Sequence, residues 1–187
     1  MINRNLDKIA VFGYLTAKRL FPNYAFFSNK YSFGDAKILE NVLRQIKAKM
    51  DDESYQIDFN LLKRKLDEVT PAPENYDTVL ASSALDACGA IYELASYLED
   101  KDLEHISSIG TFATDSVDMY IQELLDLDMN DPTSEEKIAF HILMLREKKI
   151  QEDIWKYLNK MDAIDDGDIQ TLEKLQDNAG MGNLDLK

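Results

Sequence analysis

Asp86 and Glu93 stand seven residues apart in a stretch of helical periodicity, so both carboxylates face the same way, alongside Ser82. Paired carboxylates can bind a divalent cation or share general acid and base work. Two helical turns part them by ~10.5 Å along the axis, so a shared ion needs a third ligand from elsewhere. A solvated or salt-bridged helix face accounts for the same pair without any chemistry.

A second constellation brackets an aromatic-rich stretch. Pro22-Asn23-Tyr24 and Phe33-Gly34-Asp35 flank Phe26, Phe27 and Tyr31, with Phe21 just before. As a binding site, Tyr24 and Phe33 form a pocket wall to which Asn23 and Asp35 offer polar groups, with Asp86 and Glu93 as further members. As helix punctuation, Pro22 stops one helix, Asn23 and Asp35 cap the next ones, and the aromatic rings fill core.

Calcium is the metal to weigh. Counted as a twelve-residue EF-hand loop from Asp162, the chain places Asp166 at position 5, Gly167 at 6 and Glu173 at 12, with Asp168 beside them. Ile164 occupies position 3, where an oxygen ligand belongs, and no second loop pairs with this one. A solvent loop with Asp168 capping a final helix is the favoured reading. The two histidines exclude di-iron chemistry, because neither His105 nor His141 has a glutamate three residues before it. Cys88 falls on an apolar face, where a thiol is inert. No motif requires a cofactor, and the reading leans away from an enzyme.

The elements around these residues read as helices in a chain of 187 residues, 45% apolar and 30% charged. Periodicity gives helices over 6–21, 35–50, 58–69, 79–98 and 103–127. Thr133-Ser134-Glu135-Glu136 is a capping box opening a long helix to about Met161. The first half of that helix, with Ile138, Phe140, Ile142, Leu143 and Leu145, is apolar nearly all round and is expected to be buried. A short helix follows over 169–176, and 178–187 reads as a frayed tail. The 79–98 helix is rich in Ala, Ser, Cys and Gly in its first half, so neighbours can approach it closely. The fold class is all-α, a single compact bundle of six to eight helices over 1–177.

Charge bounds the partners. The chain carries 21 basic and 35 acidic residues, a net −14, distributed as +6 over 1–50 and −20 over 51–187. Such a field opposes binding to nucleic acid or an anionic membrane. Either the basic start packs on the acidic remainder, or the molecule offers an acidic face to a basic partner. No apolar run is long enough to cross a bilayer, and the lone Cys88 points to the cytoplasm.

Leu20-Phe21-Pro22-Asn23-Tyr24-Ala25-Phe26-Phe27, then Phe33-Gly34-Asp35, then Leu85-Asp86-Ala87-Cys88 together resemble the YjaG-like bacterial family, domain of unknown function 416. The likeness runs from the first helix to about Tyr120. It implies an all-α bacterial protein of the cytoplasm and implies no reaction. The functional expectation is a non-enzymatic module that binds a protein partner, a basic one by charge. The alternative is a small-molecule site built from Asn23, Asp35 and Asp86, which requires those residues to converge. A homodimer is the third reading.

Overall fold

The computed structural model describes residues 6–176 and 182–186. It is an all-α bundle: α1 (Lys8–Tyr31), α2 (Ala36–Asp51), α3 (Phe59–Asp67), a 3-10 turn (Pro73–Asn75), α4 (Val79–Asp100), α5 (Leu103–Leu124), α6 (Ser134–Ala139), α7 (Ile142–Lys160) and α8 (Asp166–Gln176). No strand occurs among the described residues. Most helix starts are capped as their sequences dictate: Asp7, Asp35, Asp58, Thr78 and Asp102 each accept a backbone N–H from the first turn that follows.

The centre of the bundle is α1 and α4, with α5 packed along α4. Ala81, Ala84, Ala87, Ala90 and Ala95 of α4 are fully buried, and their small side chains allow α1 and α5 to close in. The main core spans α1 to α5, α7 and α8. A smaller core holds Val117 and Ile121 of α5, Ile138 of α6, Leu143 and Met144 of α7, and Leu184.

Three features depart from the sequence reading. First, Pro22 does not end α1, which continues nine residues further to Tyr31. A proline in a helix interior removes the N–H that the Lys18 carbonyl would accept and costs ~3 kcal/mol. The continuation buries Tyr24 and Phe27 completely. At ~1.5–3 kcal/mol for each large apolar side chain, that burial outweighs the proline.

Second, the single helix expected from Ser134 to Met161 is broken at Phe140-His141 into α6 and α7, and the His141 ring nitrogen accepts the Leu143 N–H as an N-cap. Thr133 makes no side-chain cap; its hydroxyl donates to Asp131 Oδ1 at 2.9 Å. Of the five apolar residues expected inside, Ile138 and Leu143 are buried. Phe140, Ile142 and Leu145 are 70%, 71% and 45% exposed.

Third, 182–186 is docked on the bundle. Asn183 and Leu184 are buried. Asn183 Nδ2 donates to the Ala113 carbonyl at 3.0 Å, and its Oδ1 accepts from Asn23 Nδ2 at 2.8 Å. Arg146 binds both the Asn183 carbonyl (2.8 Å) and Asp185 (2.7 Å). Gly182, at φ +69°, sits against the Pro22 turn, where a Cβ would lie 2.9 Å from the Arg19 carbonyl oxygen. The rest of the stretch read as frayed, 178–181 and 187, lies outside the described residues.

The uneven charge is partly consumed inside the fold. Arg19, nearly inaccessible, donates to Glu147 Oε1 at 2.5 Å and to Gln176 Oε1 at 2.6 Å, joining α1 to α7 and α8. Lys18 pairs with Glu173 at 2.7 Å and Lys47 with Asp166 at 2.6 Å. The basic start of the chain thus packs on acidic residues from its far end.

Candidate functional site

The residues singled out around the aromatic stretch are structural. Asn23 is an interior residue of α1, buried against Asn183, and caps no helix. The Tyr24 hydroxyl donates to the Val69 carbonyl at 2.8 Å. Burial pushes that phenol well above its ordinary range. Gly34, at φ +63°, leaves room for the same hydroxyl, which a Cβ would meet at 2.2 Å. Phe33 joins Phe27 and Tyr76 in edge-to-face contacts at 5.9 and 6.1 Å. Asp35 caps α2 through the Lys37 N–H at 2.9 Å and is exposed.

Asp86 and Glu93 do share a face, and it is the seam between α4 and α5. Ser116 donates its hydroxyl to Asp86 Oδ2 at 2.7 Å. One helical turn on, Gly89 faces the Phe112 ring. Glu93 then bonds His105 Nδ1, while His105 Nε2 meets Asp100 at 3.1 Å. Burial pushes the Asp86 carboxyl up to about 6; the Ser116 hydroxyl opposes this and the Asp115 charge adds to it. Burial works against a charge on His105, yet the hydrogen bonds to Glu93 and Asp100 override it and raise its pKa. The seam is a row of interhelical contacts. Asn23, Asp35 and Asp86 bind separate partners: Asn183, the Lys37 N–H and Ser116.

The calcium loop is not formed either, because 166–176 is helix. Asp165 accepts the Gly167 and Asp168 N–H groups, and Asp168 accepts the Asp165 N–H in return, a reciprocal cap. Asp168 also accepts the Tyr157 hydroxyl at 2.7 Å, Asp166 is paired with Lys47, and Glu173 with Lys18. Asp162 is bound to none of the three. Among the described residues no group of histidine, cysteine and acidic side chains is arranged to hold a metal ion. Cys88 is buried, which pushes its thiol up to about 12 despite a hydrogen bond from Thr70.

Two surfaces escape the sequence reading. One is the end formed by the last two turns of α5, the 125–133 connection, α6 and the start of α7. Of the exposed large apolar side chains among the described residues, Met119, Leu124, Leu125, Met129, Phe140, Ile142 and Leu145 belong to this end. Only Tyr55, Leu61, Leu85 and Leu103 lie elsewhere. The same stretch carries six acids (Glu123, Asp126, Asp128, Asp131, Glu135 and Glu136) and one lysine, Lys137, which pairs with Asp131 at 3.0 Å. The sequence pattern places Phe140, Ile142 and Leu145 inside, and the structure leaves them exposed.

The other surface is a cavity of about 730 Å³ between α1 and α8, closed on one side by Gly182 and Leu186. Pro22 and Phe26 form its apolar wall, and Lys18, Glu173 and Lys174 are its charged rim. The calcium candidate Glu173 therefore belongs to a different feature. No helix among the described residues is long and apolar enough to cross a membrane.

The fold has a solved counterpart. The crystal structure of a DUF416 family protein from Shewanella baltica superposes with a TM-score of 0.86, at 24% identity over 95% of this chain and 91% of that one. In sequence, the chain is 28% identical to the uncharacterized protein YjaG of Salmonella typhimurium and 27% identical to that of Escherichia coli, each over 90% of this chain and 85% of the relative. An uncharacterized protein of Haemophilus influenzae is 22% identical over 100% of this chain and 96% of its own length. The profile described as protein of unknown function (DUF416) matches residues 5–187, and with that span matched the chain belongs to the DUF416 family.

Proposed function

We propose that this protein is a non-enzymatic docking module that receives a basic, amphipathic segment of a partner protein on the α5–α6–α7 end. The observation that carries the reading is the gathering of seven exposed large apolar side chains within 119–145, with Phe140 and Ile142 at 70% and 71% exposure. Isolated exposed apolar residues need no explanation, whereas a concentration of them marks interaction surfaces. Six acids against one lysine in the same stretch set the partner's charge. Carboxylates around an apolar centre attract lysine and arginine, hasten encounter and repel a second copy of the same surface. The lone, buried Cys88 agrees with a cytoplasmic setting.

The test uses a synthetic amphipathic helix with leucine on one face and lysine on the other, titrated by fluorescence anisotropy. Binding is expected to weaken at least ~10-fold between ~50 and ~500 mM salt. The Phe140→Ser/Ile142→Ser variant, altered only at exposed positions, is expected to lose it with an unchanged melting temperature. Equal binding by that variant, or binding indifferent to salt, overturns the reading.

A further inference from the structure

The cavity between α1 and α8 is independent of that docking end. We propose that it binds a small organic anion, with an apolar body seated against Pro22 and Phe26 and a carboxylate held between Lys18 and Lys174. At about 730 Å³ it has the size of a ligand site, for which ~300–1,000 Å³ is usual. One stripe of α1 supplies both the apolar wall and part of the charged lining, because Leu15, Lys18, Arg19, Pro22 and Phe26 recur at helical spacing.

Charge selects the ligand. The chain as a whole has 35 acids against 21 bases, whereas the described lining of this cavity holds Lys18, Arg19 and Lys174 against Glu173 alone. Arg19 is committed to Glu147 and Gln176 and serves as a fixed part of the wall. Lys18 is held by Glu173 in a pair that is 46% and 32% exposed, a solvent-screened contact that an incoming carboxylate can replace. Lys174 is exposed and pairs with no described carboxylate. The cavity therefore presents two accessible ammonium groups above an apolar wall.

A matched pair of probes, phenylbutyrate and phenylbutanol, separates the charge from the apolar body. Ligand-observed NMR titration of the full chain is expected to show saturable binding of both, with the acid at least ~10-fold tighter. Lys174→Glu, at an exposed position, is expected to erase the acid's advantage and leave the alcohol's affinity in place. Ala25→Trp, which fills the cavity, is expected to abolish both, and Phe140→Ser/Ile142→Ser to change neither. No saturable binding, equal affinity for acid and alcohol, or full binding retained in Ala25→Trp overturns the proposal. Loss of the peptide contact alone leaves these outcomes untouched, so the two sites fail separately.

Discussion

Asp86 sits in an environment poorly suited to its charge. It sits on the α4–α5 seam with a single hydroxyl partner, and burial raises its pKa from 3.8 to about 6. An acid raised in the folded state binds more protons there than in the unfolded chain, so stability falls as pH rises from about 4 to about 6. At neutral pH the penalty is up to about 3 kcal/mol. His105 acts in the same direction: its pKa is raised in the fold, so its contribution is complete below the unfolded value and is lost as pH climbs through the folded one. Asp86→Asn is therefore expected to raise the melting temperature at pH 8, with the gain vanishing near pH 4. Thermal unfolding of both proteins across that range measures it, and a pH-independent offset contradicts it. The shared face of Asp86 and Glu93 is legible in their seven-residue spacing, as is the cap at Asp35. That the face meets Ser116 and His105 depends on how α5 docks, which no local pattern encodes.

Among the elements, α1 shows how far local rules reach. Its apolar periodicity is plain in the sequence, yet Pro22 reads as an end because a proline usually is one. The helix continues because Tyr24 and Phe27, beyond the proline, are fully buried. The same turn receives Gly182, and Asn183 bridges Asn23 to the Ala113 carbonyl. Asn183→Ala removes both bonds and leaves the buried Asn23 amide without its acceptor, at ~1–3 kcal/mol, while the Ala113 carbonyl keeps the donor of its own helix. Urea unfolding is expected to show a loss of roughly 2–3 kcal/mol. A change below ~0.5 kcal/mol, the usual range for exposed positions, contradicts this docking. The glycine-rich, polar composition of 178–187 conceals the contact, since its burial rests on one asparagine and Leu184. The break between α6 and α7 is hidden for a different reason: no glycine or proline marks it, and the cap that restarts the helix is the His141 ring nitrogen accepting the Leu143 N–H.

For the whole molecule, the all-α bundle follows from helical periodicity with sparse glycine and proline, and the charge imbalance from composition alone. What the imbalance does is settled in three dimensions. Part of it is spent on pairs such as Arg19–Glu147 and Lys47–Asp166 that tie the start of the chain to its far end. The acids of 119–145 outnumber the basic residues of that stretch six to one and share it with the exposed apolar residues. A partner for this surface should be basic, apolar at its centre and salt-sensitive. The most direct measurement is paired affinity capture from a bacterial host lysate at low salt, with the native protein and Phe140→Ser/Ile142→Ser as baits, quantified by mass spectrometry. The account predicts a stoichiometric basic protein on the native bait, released by ~0.5 M salt and absent from the variant. A partner held equally by both baits, or one that is acidic and unmoved by salt, contradicts it.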